Sequence, residues 1–202
     1  MKGALEGKMT YFIAIGGHTG TGKTTLAYAL REKGVVFADC FIIEEDEMRR
    51  IQLGLVLKDV LVDADYDDAI TCAVRAKMDG LICDILGKGR SVIDASGFFT
   101  EKGREHAELL AKDCAVMFVG FWLTVSRDVM EQRIQKRSVE RRSGSALSVE
   151  KGHASDAGVG VLDKYGDLGV PSSNVWHVID ANATLVDVVG QINRIITFAA
   201  AG

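Results

Sequence analysis

The chain has 202 residues and a formal net charge of −4, with 48% hydrophobic and 26% charged residues. That length suits one domain spanning 1–202, with enough apolar side chains for a real core and room for a small lid. The acidic balance argues against a general nucleic-acid binder, and no apolar run reaches the ~18 residues a membrane span requires.

The start of the chain lacks a signal-peptide core, so the expected location is the cytoplasm. Cys40, Cys72, Cys83 and Cys114 are widely spaced, with no CxxC pair. They read as buried free thiols of a reducing compartment rather than a zinc site. Residues 1–8 lack periodicity and read as a frayed leader.

In chain order, Tyr11 to Ile15 is a short apolar strand. Gly17-His18-Thr19-Gly20-Thr21-Gly22-Lys23-Thr24 follows and fits GxxxxGK[ST], the phosphate-binding loop that opens a helix. Thr24 to Lys33 supplies that helix. Phe41 to Glu44 is a second strand, and Asp46 to Leu53 begins a helix with a carboxylate near its N-terminus. Residues 54–62 show no clear pattern. Asp65 to Leu86 carries apolar residues at helical spacing, and Gly87-Lys88-Gly89 stops it.

Ser91 to Asp94 is a third strand ending in a carboxylate, and Glu101 to Lys112 is helical. Ala115 to Leu123 is a long apolar strand, and Ser126 can cap a helix that runs to about Lys136. A polar tract rich in Ser, Gly and Arg follows, a candidate lid over about 138–153. Ala154 to Tyr165 predicts another helix, weakened by Gly158 and Gly160. Asn174 to Ile179 is the last strand, and Thr184 can cap a closing helix that reaches about Phe198.

Continuous apolar strands separated by helices predict an α/β fold: a five-stranded parallel sheet with helices on both faces. Functional groups in such sheets gather at the carboxyl ends of the strands. The phosphate loop sits there, and its residues Gly17 to Thr24, with Thr25 behind them, are the expected nucleotide site. Backbone N–H groups hold the phosphates, Lys23 reaches the β/γ-phosphates, and the Thr24 hydroxyl can ligate Mg²⁺.

Asp46 follows strand two within the run Glu44-Glu45-Asp46-Glu47. Phosphoryl transfer to a hydroxyl needs a carboxylate to orient the acceptor and take its proton. Asp46 suits that task, with Arg49 on the same helix face as an acceptor or phosphate clamp; the bland reading is a solvated acidic helix start. Asp94 is the candidate second metal carboxylate beside Thr24, the alternative being a polar strand end. Arg127, Arg133, Lys136, Arg137, Arg141 and Arg142 concentrate positive charge before the lid. Most of them read singly as a solvated helix face. Arg137 is the best candidate for the transferring phosphoryl, and Arg133 shares its face. His106, His153 and His177 show no metal spacing and read as structural or surface residues, and Trp122 and Trp176 read as core.

Several pieces together resemble a known group. They are GHTGTGKTT, then Asp46-x-x-Arg49, then Ser91-Val92-Ile93-Asp94-Ala95-Ser96, then Glu131-Gln132-Arg133 through Arg137, then Ala154-Ser155-Asp156-Ala157. Over about residues 11–180 the chain resembles the P-loop kinases of the AAA_33/zeta-toxin-like group. That group includes the 5′-hydroxyl polynucleotide kinases, the zeta toxins and the ATP-binding domains fused to aminoglycoside-phosphotransferase-like proteins; the last look most similar. The resemblance implies a sheet in kinase order with a lid after the fourth strand. It implies Asp46 as general base, Arg49 as its substrate-side partner, and Arg137 reaching the nucleotide. Glu45 stands where the group often has Ser.

The expected activity is transfer of the γ-phosphoryl of ATP–Mg²⁺ to a hydroxyl of a small molecule, with the acidic balance counting against a nucleic-acid partner and no membrane partner expected. The alternatives are a nucleotide-sugar kinase of the zeta-toxin kind, a 5′-hydroxyl nucleic-acid kinase, and an ATP-binding regulatory module without turnover.

Overall fold

Alternation of apolar side chains along β1 (Tyr11–Gly16) sets the two faces of the sheet. Tyr11, Ile13 and Ile15 face one core cluster, and Phe12 and Ala14 face the other. All are nearly or fully removed from water, the condition of a central parallel strand covered on both sides. The computed structural model describes residues 9–33, 38–56, 58–142, 159–165 and 169–199. Residues 1–8, His153, and the candidate lid beyond Arg142 lie outside them, as does the start of the helix expected from Ala154.

The described chain runs through β1, α1 (Lys23–Lys33), β2 (Phe41–Glu44), α2 (Glu45–Leu53), a 3₁₀ turn (Asp63–Tyr66), α3 (Asp68–Gly87), β3 (Val92–Ala95) and α4 (Glu101–Asp113). It continues with β4 (Met117–Thr124), α5 (Arg127–Arg142), α6 (Val159–Tyr165), β5 (Trp176–Asp180) and α7 (Leu185–Ala199). The sheet has five strands in the order β2-β3-β1-β4-β5, every neighbouring pair parallel. The predicted α/β architecture is therefore the observed one.

On one face α1 and α7 cover the sheet with Leu26, Leu30, Val188, Ile192 and Ile196. On the other, α3 and α4 contribute Val74, Met78, Ile82, Ala107 and Ala111. Trp122 and Trp176 are core, as their strand positions predict, being 3% and 4% exposed. Their packing depends on two glycines: an added Cβ would lie 2.4 Å from the Trp176 ring at Gly120 and 2.9 Å from the Trp122 ring at Gly16.

Three of the boundaries that differ from the sequence reading have a local cause. The helix expected from Asp65 starts at Asp68, because Asp67 is extended (φ −59°, ψ 148°) and its side chain accepts from the Ala69 N–H as an N-cap. The strand expected from Ala115 starts at Met117, because Ala115 turns the chain at φ +54°. Helix α5 runs on from Lys136 to Arg142, through the start of the expected lid, because the Arg- and Glu-rich tract contains no breaker before Gly144.

Candidate active site

Parallel register brings the carboxyl ends of β1, β2 and β3 to one edge. Asp94 pairs with both Ala14 and Ile43, and Glu44 pairs with Ala95. A cavity of about 1100 Å³ opens there, large enough for a nucleotide and a second small molecule. Its lining includes Gly20 to Thr25, Glu44, Asp46, Arg49, Arg75, Arg133 and Arg137.

Between β1 and α1 the loop takes backbone angles that a side chain would resist. Gly17 has φ +132°, and a Cβ there would meet the Leu123 carbonyl at 2.7 Å. The Gly17 N–H donates to the Gly97 carbonyl, and the Thr21 hydroxyl donates to the His18 carbonyl at 2.8 Å. Thr19 and Thr21 are buried. His18 acts here through its carbonyl, as its place inside the loop suggests; its ring lies 5.9 Å from that of Phe99. Lys23 Nζ folds back onto the Gly17 and His18 carbonyls, each at 2.8 Å. Burial lowers the Lys23 ammonium to a pKa of about 8, and among nearby charges Asp46 opposes this most strongly. The loop lysine and the candidate base thus act on each other across the same space.

Two arginines of α5 reach the loop. Arg133 Nη1 donates to the Gly20 and Thr21 carbonyls at 3.3 and 3.2 Å, and its Nη2 donates to Ala181. Arg137 Nη2 reaches the Thr19 hydroxyl at 3.5 Å. Both expected arginines therefore stand at the phosphate loop. The side chains of Arg141 and Arg142 lie outside the described residues.

The carboxylates are arranged differently from the pattern read in the sequence. Asp94, expected beside Thr24 at the metal, is fully buried and spoken for: Arg75 Nη1 donates to it at 2.8 Å and the Ser96 hydroxyl donates to its other oxygen. Burial raises the Asp94 carboxyl, and Arg75 and Ser96 pull it back. The carboxylate that meets Thr24 is Glu44, which accepts from the Thr24 hydroxyl at 2.8 Å and also from Tyr28 one helical turn later. Glu44 is 3% exposed, and burial lifts its pKa to about 7. Its place at the end of β2 was visible in the sequence; its contact with Thr24, twenty residues away, was not.

Arg49 lines the cavity, but its guanidinium is bound within the protein. It donates to Glu45 at 2.7 Å, to the Asp65 carbonyl and to the Thr71 hydroxyl, and it stacks over Tyr66. Its Nε lies 3.9 Å from Asp46, so it supports that carboxylate from one side. Arg75, which no motif marked, bridges Asp94 and Glu45 and lies over Phe98. His106 also lines the cavity, paired at 2.7 Å with Asp79.

Thr24 and Glu44 form a hard-oxygen pair of the type Mg²⁺ prefers. That ion keeps most of its other ligands as water and phosphate oxygens. Among the described residues no group of three or more His, Cys, Asp or Glu side chains could hold a metal alone. The donor set therefore fits a metal that arrives with a nucleotide.

The model of the AAA domain family AAA_33 matches residues 12–159, nearly three-quarters of the chain. The chain belongs to the AAA_33 family. No curated protein matches it. Among solved structures, a Chloroflexus aurantiacus protein inferred to be a kinase is similar at TM-score 0.64 and 19% identity, covering 93% of this chain and 98% of that one. The APS kinase CysC of Mycobacterium tuberculosis, solved with AMPPNP and APS, gives 0.60 and 12%, covering 94% and 98%. A gluconokinase from Sinorhizobium meliloti gives 0.51 and 16%, covering 95% and 98%. At these identities the AAA_33 chain shares their fold, that of P-loop kinases, across almost its whole length. Among its described residues no helix is long and apolar enough to cross a membrane.

Proposed function

We propose that this AAA_33 chain transfers the γ-phosphoryl group of ATP to a hydroxyl of a small molecule, with Mg²⁺. The observation that carries the reading is the shared cavity of Lys23 and Asp46, with the phosphate loop on one wall and the acidic start of α2 on another. Binding of AMPPNP and APS by a protein of the same fold, and the sugar-acid acceptor in the name of another, support the choice of nucleotide and acceptor class.

In this reading the loop amides from Gly20 to Thr24 hold the phosphates, as oriented N–H groups at a helix start do. Lys23 exchanges the Gly17 and His18 carbonyls for phosphate oxygens. Arg133 and Arg137 neutralise charge that spreads over the transferring group. Asp46 accepts the acceptor's proton as the hydroxyl oxygen bonds to Pγ and the Pγ–O bond to ADP breaks. Arg49 orients Asp46. Thr24 and Glu44 would hold a Mg²⁺ that arrives with the nucleotide, and the ion would supply positive charge against the developing negative charge of the phosphates. Asp94 acts through Arg75, fixing the wall beside the acceptor.

The test is transfer of labelled γ-phosphate to a panel of sugars and sugar acids, nucleotide sugars, aminoglycosides and 5′-hydroxyl oligonucleotides. Labelling of a small molecule is the expected result, and a nucleotide sugar as sole acceptor selects the toxin-like branch. Labelling of oligonucleotides alone selects a nucleic-acid kinase. ATP binding with neither transfer nor hydrolysis overturns the enzyme reading in favour of a regulatory module.

A further inference from the structure

The four cysteines sit in unlike surroundings. Cys40 is buried and Cys72 is exposed, whereas Cys83 and Cys114 are half-buried and face each other. Their sulfurs are 3.2 Å apart, with the Cys114 thiol donating to Cys83. Cys83 lies on α3 one helical turn beyond Asp79, and Cys114 caps the end of α4 two turns beyond His106. Asp79 and His106 already tie the same two helices at the cavity, at 2.7 Å. The thiol pair is therefore a second crossing point between α3 and α4, away from the site but on the helices that carry Arg75, Asp79, Lys102 and His106 into the cavity wall.

We propose that Cys83 and Cys114 are a reversible thiol–disulfide site, oxidised by a low-molecular-weight disulfide of the glutathione type, that clamps the α3–α4 wall of the cavity. Sulfurs already in contact need only close to the disulfide length of about 2.05 Å, a movement within the reach of side-chain rotation. Cys114 is the hydrogen-bond donor of the pair, and burial and the neighbouring sulfur raise its thiol to a pKa of about 11. The Cys83 thiolate attacks one sulfur of the small disulfide and expels one thiolate. Cys114 then gives up its proton and attacks the Cys83 sulfur, expelling the second. Two protein thiols and one small disulfide become one protein disulfide and two small thiols. Closing a loop across 31 residues restricts the unfolded chain, so the bond also stabilises the fold. Pairs of this kind in reducing compartments are typically transient and redox-sensing.

The experiment treats the full-length protein with oxidised glutathione, alkylates the remaining thiols and maps the peptides by mass. A linked Cys83–Cys114 peptide is expected. It should be lost on reduction and absent from Cys83→Ser and Cys114→Ser. The oxidised protein should melt roughly 5 °C higher, with slower amide exchange confined to α3 and α4 and with ATP affinity unchanged. Alkylation of both residues under conditions that glutathionylate Cys72 would overturn the proposal, as would a bond that slows exchange nowhere in α3 or α4. The mapping on the unmodified sequence decides even if the serine variants fail to fold. None of these readouts requires an acceptor, so the result stands or falls apart from the kinase reading.

Discussion

At the phosphate end of the cavity the surface is backbone, edged by Lys23, Arg133 and Arg137. At the carboxylate end it is side chains, with Glu44, Glu45 and Asp46 set against Arg49 and Arg75, and with Asp94 buried behind Arg75. The two ends hold their cations by different means. Lys23 and Arg133 rest on carbonyl groups of the loop, which are neutral acceptors. Arg49 and Arg75 rest on carboxylates. A cation on a carbonyl can move to a phosphate at little electrostatic cost. A cation on a buried carboxylate cannot leave without exposing an uncompensated charge. The phosphate end is therefore built to exchange partners, and the carboxylate end to stay fixed around Asp46.

Substitution at the two reactive side chains should separate the ends most sharply. Lys23→Ala removes the loop's cation, and calorimetric titration with ATP–Mg²⁺ should find affinity reduced by about 10²-fold or more, the worth of a lost charge-assisted contact. Asp46→Asn should leave that affinity intact while turnover falls by roughly 10²–10⁴-fold, the usual worth of a general base. An Asp46→Asn protein with near-native turnover would remove Asp46 from the chemistry, and unchanged ATP affinity in Lys23→Ala would remove the loop.

The fixed character of the carboxylate end should appear in stability. Arg75→Ala strands Asp94, which is fully buried, and should cost about 3–5 kcal/mol in urea unfolding, as breaking one side of a buried pair does. The double variant Arg75→Ala/Asp94→Ala should recover part of that loss. Additive losses would show that the pair is not coupled.

Glu44 is the exception at the carboxylate end, because it is buried against a hydroxyl and a phenol rather than a guanidinium. Its folded carboxyl holds a proton more tightly than the unfolded one. The stability it contributes is therefore complete below pH 4.5 and is lost as pH rises toward 7. A rise from 4.5 to about 7 corresponds to about 3 kcal/mol. Denaturant unfolding at pH 5 and pH 8 should show this decline in the native chain and a flatter profile in Glu44→Gln. Equal slopes in the two proteins would mean that Glu44 is ionised throughout the range.

The same contrast explains what could be read from sequence. The loop was legible because backbone contact with phosphate demands glycine, lysine and threonine at fixed spacing. The strands were legible because a sheet covered on both faces needs unbroken apolar runs such as Phe118 to Leu123. Asp46 and Arg49 emerged through their spacing and the family resemblance. The contacts of Thr24 with Glu44 and of Arg75 with Asp94 join residues about twenty positions apart on different elements. No local pattern encodes such pairs, because parallel register and the packing of helices on the sheet create them. The extent of α5 was missed for a different reason. A polar Arg–Ser–Glu tract reads as a loop by hydrophobicity, yet its residues are adequate helix formers.

The smallest expected effect tests whether the phosphate end truly exchanges partners. Arg133 lies partly open to solvent, and among the described residues its hydrogen bonds go to carbonyls of the loop and of Ala181, at 3.2 to 3.3 Å. Arg133→Ala should therefore leave thermal stability almost unchanged, since exposed polar contacts of this geometry contribute little. It should weaken ATP affinity by about tenfold, the worth of one charge-assisted bond to phosphate. A protein that keeps its affinity but melts well below the native chain would reverse the assignment. Arg133 would then be a strut between α5 and the loop, and the mobile positive charge at this end would fall to Lys23 and Arg137.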